Sequence, residues 1–143
     1  MKKASILWVL IMAVVAFSCD DDDDSSSDIT PAIISSTIIN GSWRVSYFQD
    51  RDDDETGNYS GYIFNFTSAG VVIASKNATD IPGVWSSSES SSKTKLVLNF
   101  SGGEPLDELN EDWEVTERSS STIKMKHVSG GDGHIDYLTL QKN

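Results

Sequence analysis

The chain has 143 residues, with 22 acidic side chains against 11 basic ones, a formal charge of −11 and one cysteine. A polyanion of this kind repels phosphate backbones and anionic headgroups, which argues against nucleic-acid binding and electrostatic membrane docking. With no second cysteine there is no internal disulfide, so a domain of roughly 100 residues must hold together by its core alone.

Met1 to Ser18 reads as an export signal. Lys2 and Lys3 form the positive start, Ala4 to Phe17 the apolar stretch, and Ala16-Phe17-Ser18 the small-residue approach to a cleavage site. The apolar stretch is about 14 residues, short of the roughly 20 that cross a bilayer as a helix. Cys19 follows directly, where a thiol is a candidate for lipidation that anchors the mature chain without spanning the membrane. Cleavage by the ordinary signal peptidase is the rival reading and would release a soluble protein with a free thiol. Loss of residues 1–18 makes the chain two units more negative, since that stretch holds two lysines and no acid.

Asp20 to Asp24, Ser25 to Ser27 and Asp28 offer nothing to bury and repel one another. Residues 19–37 are therefore expected to form a disordered, extended tether. This N-terminal region resembles that of bacterial lipoproteins, and the acid-rich stretch after the cysteine is similar to the surface-export signal of Bacteroidota lipoproteins. The resemblance implies acyl chains on Cys19, with Asp20, Asp21, Asp22, Asp23 and Asp24 directing the protein to the outer leaflet of the outer membrane. Ala16 stands where the usual lipobox has an aliphatic residue such as Leu.

From residue 38 to 143 the pattern predicts an all-β domain of eight short strands joined by Gly-, Ser-, Asn- and Asp-rich turns. Trp43, Val45 and Tyr47 share one face of the first strand, and Tyr62, Phe64 and Phe66 one face of the second. The third runs from Val71 to Ser75, and the fourth centres on Val84 and Trp85 after a break at Pro82-Gly83. Leu96, Leu98 and Phe100 line the fifth, and Leu106 to Asn110 suits one helical turn. Trp113 and Val115 face inward from the sixth, Ile123 and Met125 from the seventh, and Ile135, Tyr137 and Thr139 share a face of the last. Such a meander favours an antiparallel up-and-down barrel, whose closure removes exposed edges.

The stretch from Ile38 onward resembles the short lipocalin-like domain of bacterial lipoproteins. The similarity rests on Gly41-Ser42-Trp43, Tyr62-Ile63-Phe64-Asn65-Phe66 with Gly70, Gly83-Val84-Trp85, Leu96-Val97-Leu98, Trp113-Glu114-Val115 and Ile123-Lys124-Met125. It implies that Trp43 packs across the closed end of the barrel, with Gly41 letting the chain approach. The last strand lacks the arginine of true lipocalins, and only Lys142 stands in reach of that role.

An eight-stranded barrel either fills its interior with side chains or holds one small ligand. Trp43, Tyr62, Phe64, Phe66, Trp85, Trp113 and Tyr137 are the candidate cavity lining, for a small hydrophobic ligand. Core filling is the competing role and is favoured by about two to one. Asp50, Asp52, Asp53, Asp54 and Glu55 carry calcium-type oxygen ligands but lack EF-hand spacing. His127 and His134 flank the last hairpin and make at best a weak surface site, so no metal and no cofactor is assigned. Glu104, Asp107, Glu108, Glu111 and Asp112 provide carboxylates without a visible nucleophile or triad. The expected function is a monomeric, membrane-anchored, non-catalytic binding or interaction module. The alternatives are a filled-barrel accessory engaging another envelope protein, and a hydrolase using the acids at 104–117.

Overall fold

The computed structural model describes residues 28–143. The export signal, Cys19 and Asp20 to Asp24 lie outside the described residues. Nine strands follow one helix: α1 (Pro31–Ile38), β1 (Ser42–Asp50), β2 (Asp53–Asp54), β3 (Ile63–Phe66), β4 (Val71–Lys76), β5 (Thr79–Ser90), β6 (Lys93–Phe100), β7 (Asp112–Arg118), β8 (Thr122–Val128) and β9 (Ile135–Lys142). All pairings are antiparallel. β1, β3, β4, β5, β6, β7, β8 and β9 pair in that order and β9 returns to β1, closing an eight-stranded barrel, while the two-residue β2 pairs only with the end of β1.

The interior is packed with side chains. Trp43, Phe64, Leu96, Trp113, Ile123 and Leu138 are all essentially inaccessible. Each indole N–H in this core also has an acceptor: Trp43 Nε1 donates to Ile38 O at 2.8 Å, Trp85 Nε1 to Thr67 O at 2.9 Å and Trp113 Nε1 to Leu109 O at 3.0 Å. Buried aromatics satisfied in this way pack as structure and leave no polar atom waiting for a guest.

Helix α1 corrects the tether boundary. Residues 31–37 were expected to be disordered, yet they are helical, and Ile34 and Ile38, four residues apart on one face, are fully buried. Thr30 caps the helix by accepting from Ile33 N through Oγ1, and Pro31 occupies the first turn. Even Ile29 belongs to the domain, since it packs on the core and its carbonyl accepts from Thr94 Oγ1 at 2.9 Å. α1 closes the barrel end at which β1 begins. There Lys142 Nζ sits 5.3 Å from the centre of the Trp43 ring.

One expected face changes partway along its strand and another is reversed. Between Val45 and Tyr47 the β1–β9 register shifts, a bulge that turns Phe48 inward and leaves Tyr47 37% exposed. In β9, Leu138 and Leu140 take the interior and Tyr137 is 40% exposed on the outer wall, so Tyr137 is no part of a cavity lining. Strand alternation makes this an all-or-none choice, and the two leucines fill the core better than Thr139 and Tyr137. Nor does Pro82-Gly83 break the chain: both pair in register within β5, Pro82 with Ile73 and Gly83 with Val72.

Candidate functional site

Two of the concavities on the outside of the filled barrel gather candidate functional groups. The first is a seam in its wall. β1 and β3 pair only through Ser42–Asn65 and Trp43–Phe64, after which the strands diverge. A cleft of about 510 Å³ lies in the gap, bordered by Arg44, Val45 and Ser46 on one side and by Ser60 to Ile63 on the other, with a 3-10 turn (Thr56–Tyr59) at its head. Of the seven residues expected to line a cavity, Tyr62 borders this cleft, half-buried under Lys76 Nζ, 4.9 Å from the ring centre. Trp43, Phe64, Phe66, Trp85 and Trp113 are core residues instead.

The second concavity is at the end of the barrel opposite α1. Two short turns seal this mouth, Thr56–Tyr59 and Leu106–Leu109, and insert Tyr59, Leu106 and Leu109 into the core. They are joined where Tyr59 Oη donates to Pro105 O at 2.9 Å, with Glu108 Oε2 3.4 Å from the same hydroxyl. Burial, then Glu55, Asp107 and Asp50, push the Glu108 carboxyl up to about 7. Burial and the Glu108 carboxylate raise the Tyr59 phenol well above its ordinary value.

Outside these turns is a cavity of about 290 Å³, bordered by Asp50, Arg51, Glu108, Glu111, His127, His134 and Asp136. Both histidines face it, each with carboxylates of its own. The ligand atoms of Asp50, His134 and Asp136 all lie within 4.8 Å of one another, as do those of Glu111, Asp112 and His127. His127 presents Nε2 to Glu111 at 3.4 Å and Nδ1 to Asp112 at 3.2 Å. His134 Nδ1 meets Asp132 Oδ1 at 2.5 Å, while Nε2 stands 3.7 Å from Asp136 Oδ1. Desolvation and the neighbouring Asp136 carboxylate both raise the Asp50 pKa.

The sequence placed the two histidines near one hairpin but not the acids around them. Asp50 comes from the far end of β1, more than eighty residues away, and reaches His134 only because β9 pairs with β1. Among the 104–117 acids, Glu108, Glu111 and Asp112 come to this mouth, and Glu104 and Asp107 are exposed. In the Asp50–Glu55 loop, Asp50 faces the cavity, whereas Asp52, Asp53 and Asp54 are exposed and Asp54 Oδ1 accepts from Thr56 N at 3.0 Å.

These features define a small, closed, solid antiparallel barrel with concavities on its outside. No family model matches the chain, and no curated protein does. Among solved structures it is similar to a DUF4847 family protein from Bacteroides vulgatus ATCC 8482, known at 1.00 Å resolution, with a TM-score of 0.52 and 14% identity over 77% of this chain and 97% of that one. At that identity the likeness is one of fold.

Proposed function

We propose that the protein is a lipid-anchored lipoprotein of the bacterial outer membrane, exposed at the cell surface, whose barrel is a non-catalytic binding module that works from its outer wall. The N-terminal residues support the anchor: an export signal ending at Cys19 and an aspartate run after it. The β1–β3 cleft carries the binding reading. A packed core leaves a ligand no room inside, whereas the cleft combines the half-buried Tyr62 ring and Arg44 with strands that no longer pair with each other, a mixture suited to a small amphipathic molecule.

Two measurements test it. Cys19→Ala is expected to abolish acyl labelling and move the protein out of the membrane fraction; retention in that fraction contradicts the anchor. Native mass spectrometry of the full chain extracted from its host is expected to show a small molecule that Tyr62→Ala loses. Bare protein in every preparation, together with crosslinks to one envelope protein, replaces the ligand-binding role with that of a structural accessory.

A second reading, hydrolysis, draws on the Glu108 carboxyl, which titrates near neutrality as a general acid must. A glycan and ester panel that responds to the wild type and falls silent with Glu108→Gln would establish it against the non-catalytic reading.

A further inference from the structure

The mouth of the barrel brings together a set of groups that its core packing does not require. Asp50 at the end of β1 and Asp136 near the start of β9 point their carboxylates at each other beside the His134 ring, all within 4.8 Å. Two facing carboxylates repel, and no lysine or arginine side chain among the described residues forms an ion pair with either. Arg51 is the nearest cation. Its Nη2 is 3.8 Å from Asp132 and its Nε donates to His134 Nε2 at 3.4 Å, while its backbone N–H donates to Asp136 Oδ1 at 3.0 Å.

The histidine is held in one orientation. The contact of Nδ1 with Asp132 Oδ1 and the Arg51 donation into Nε2 suit the same neutral tautomer, with the proton on Nδ1 and a lone pair on Nε2. A carboxylate behind the distal ring nitrogen is the arrangement that aims and strengthens a metal-ligating imidazole. Nε2, which takes the Arg51 donation, lies 3.7 Å from Asp136 Oδ1, and the cavity of about 290 Å³ gives an ion access from solvent.

We propose that Asp50, His134 and Asp136 bind one first-row divalent transition-metal ion at the barrel mouth, with Asp132 orienting the histidine. One imidazole and two carboxylates suit zinc, manganese or iron better than calcium or magnesium, which take oxygen ligands. The ion neutralises the opposed carboxylates and ties the end of β1 to the β8–β9 hairpin. Binding requires Arg51, whose side chain is largely exposed, to give up its contact with His134 Nε2. Three protein ligands leave further coordination positions open toward the cavity, where Glu111 and His127 form the facing wall. This site is independent of the β1–β3 cleft.

The test uses the full chain carrying Cys19→Ala, which removes the one thiol that could compete for metal, without a polyhistidine tag and stripped with EDTA. Calorimetric titration with zinc is expected to show one site per chain above the weak background of the aspartate run. His134→Ala and Asp136→Asn should abolish it, Asp132→Asn weaken it by about 10- to 100-fold, and His127→Ala leave it intact. Asp50→Asn serves as the folding control. It relieves the repulsion, so the metal-free variant should melt no lower than its parent while losing the melting shift that zinc induces. Zinc binding that is no tighter in the parent than in His134→Ala, or that survives His134→Ala and vanishes in His127→Ala, overturns the assignment.

Discussion

Gly83 shows how much one residue can decide. A Cβ built on it would lie 2.7 Å from Asn99 O and 2.7 Å from Phe100 Cδ1, since the Phe100 ring of β6 lies directly over this point of β5. Gly83→Ala must push either ring or backbone aside and is expected to cost about 1–3 kcal/mol of stability, measured by denaturant unfolding. Trp43 is the opposite case, a large side chain with no exposure and a satisfied indole. Trp43→Ala should cost about 3–5 kcal/mol; a loss below about 1 kcal/mol would mean that the barrel end is not sealed by this ring. Glu108 makes a prediction about pH. Its carboxyl is raised from 4.5 to about 7 by burial and by Glu55, Asp107 and Asp50, with the Tyr59 hydroxyl beside it. The folded state therefore holds a proton that the unfolded state releases, so stability falls as pH rises from about 4.5 to about 7 and then levels. Asp50, also raised by burial and by Asp136, acts in the same direction. Glu108→Gln should flatten the dependence of melting temperature on pH across this window, and an unchanged slope would assign the titration elsewhere.

Among the elements, α1 was the least legible and is among the most consequential. Its sequence, Pro31-Ala-Ile-Ile-Ser-Ser-Thr-Ile38, is short and rich in β-branched residues and serines, which favour helix poorly. Nothing in its periodicity marks it as a helix after the polar run of sequence before it. The helix exists because Ile34 and Ile38 find a barrel end to bury into and because Thr30 and Pro31 start it cleanly. Ile34→Ala or Ile38→Ala should then cost about 2–5 kcal/mol by unfolding, whereas a tether would show no change. β1 makes a related point. Apolar alternation identified the strand, but the bulge at Ser46 exchanged Tyr47 for Phe48 inside, and a bulge is a property of the pairing with β9, invisible in β1 by itself. The parity of β9 was misread for a different reason. Thr139 and Tyr137 are good strand formers, but the interior selects by volume and shape, and Leu138 and Leu140 fit it.

At the scale of the molecule, closure through β1 and β9 turns a meander into a solid barrel and places chemistry where its ends meet. The eight barrel strands, the all-β class and the antiparallel order were readable because period-two alternation and turn-forming residues are local signals, whereas the two-residue β2 was not. The aromatic residues could be located but not assigned, since a lining and a filling have the same composition. Packing decided for filling, with each indole hydrogen-bonded within the protein. The histidine–carboxylate mouth was likewise beyond local reading, because Asp50 and Asp136 become neighbours only through the longest-range pairing in the fold.

Local chemistry, then, determined the acidic bias, the placing of the one cysteine and the succession of strands, all of which depend on residues near in the chain. Which face of each strand turned inward, where the folded domain began, whether the barrel was hollow and which acids met the histidines were decided only in three dimensions. Each of those outcomes depends on competition for one shared interior and on contacts between distant segments, and neither can be evaluated until the barrel has closed.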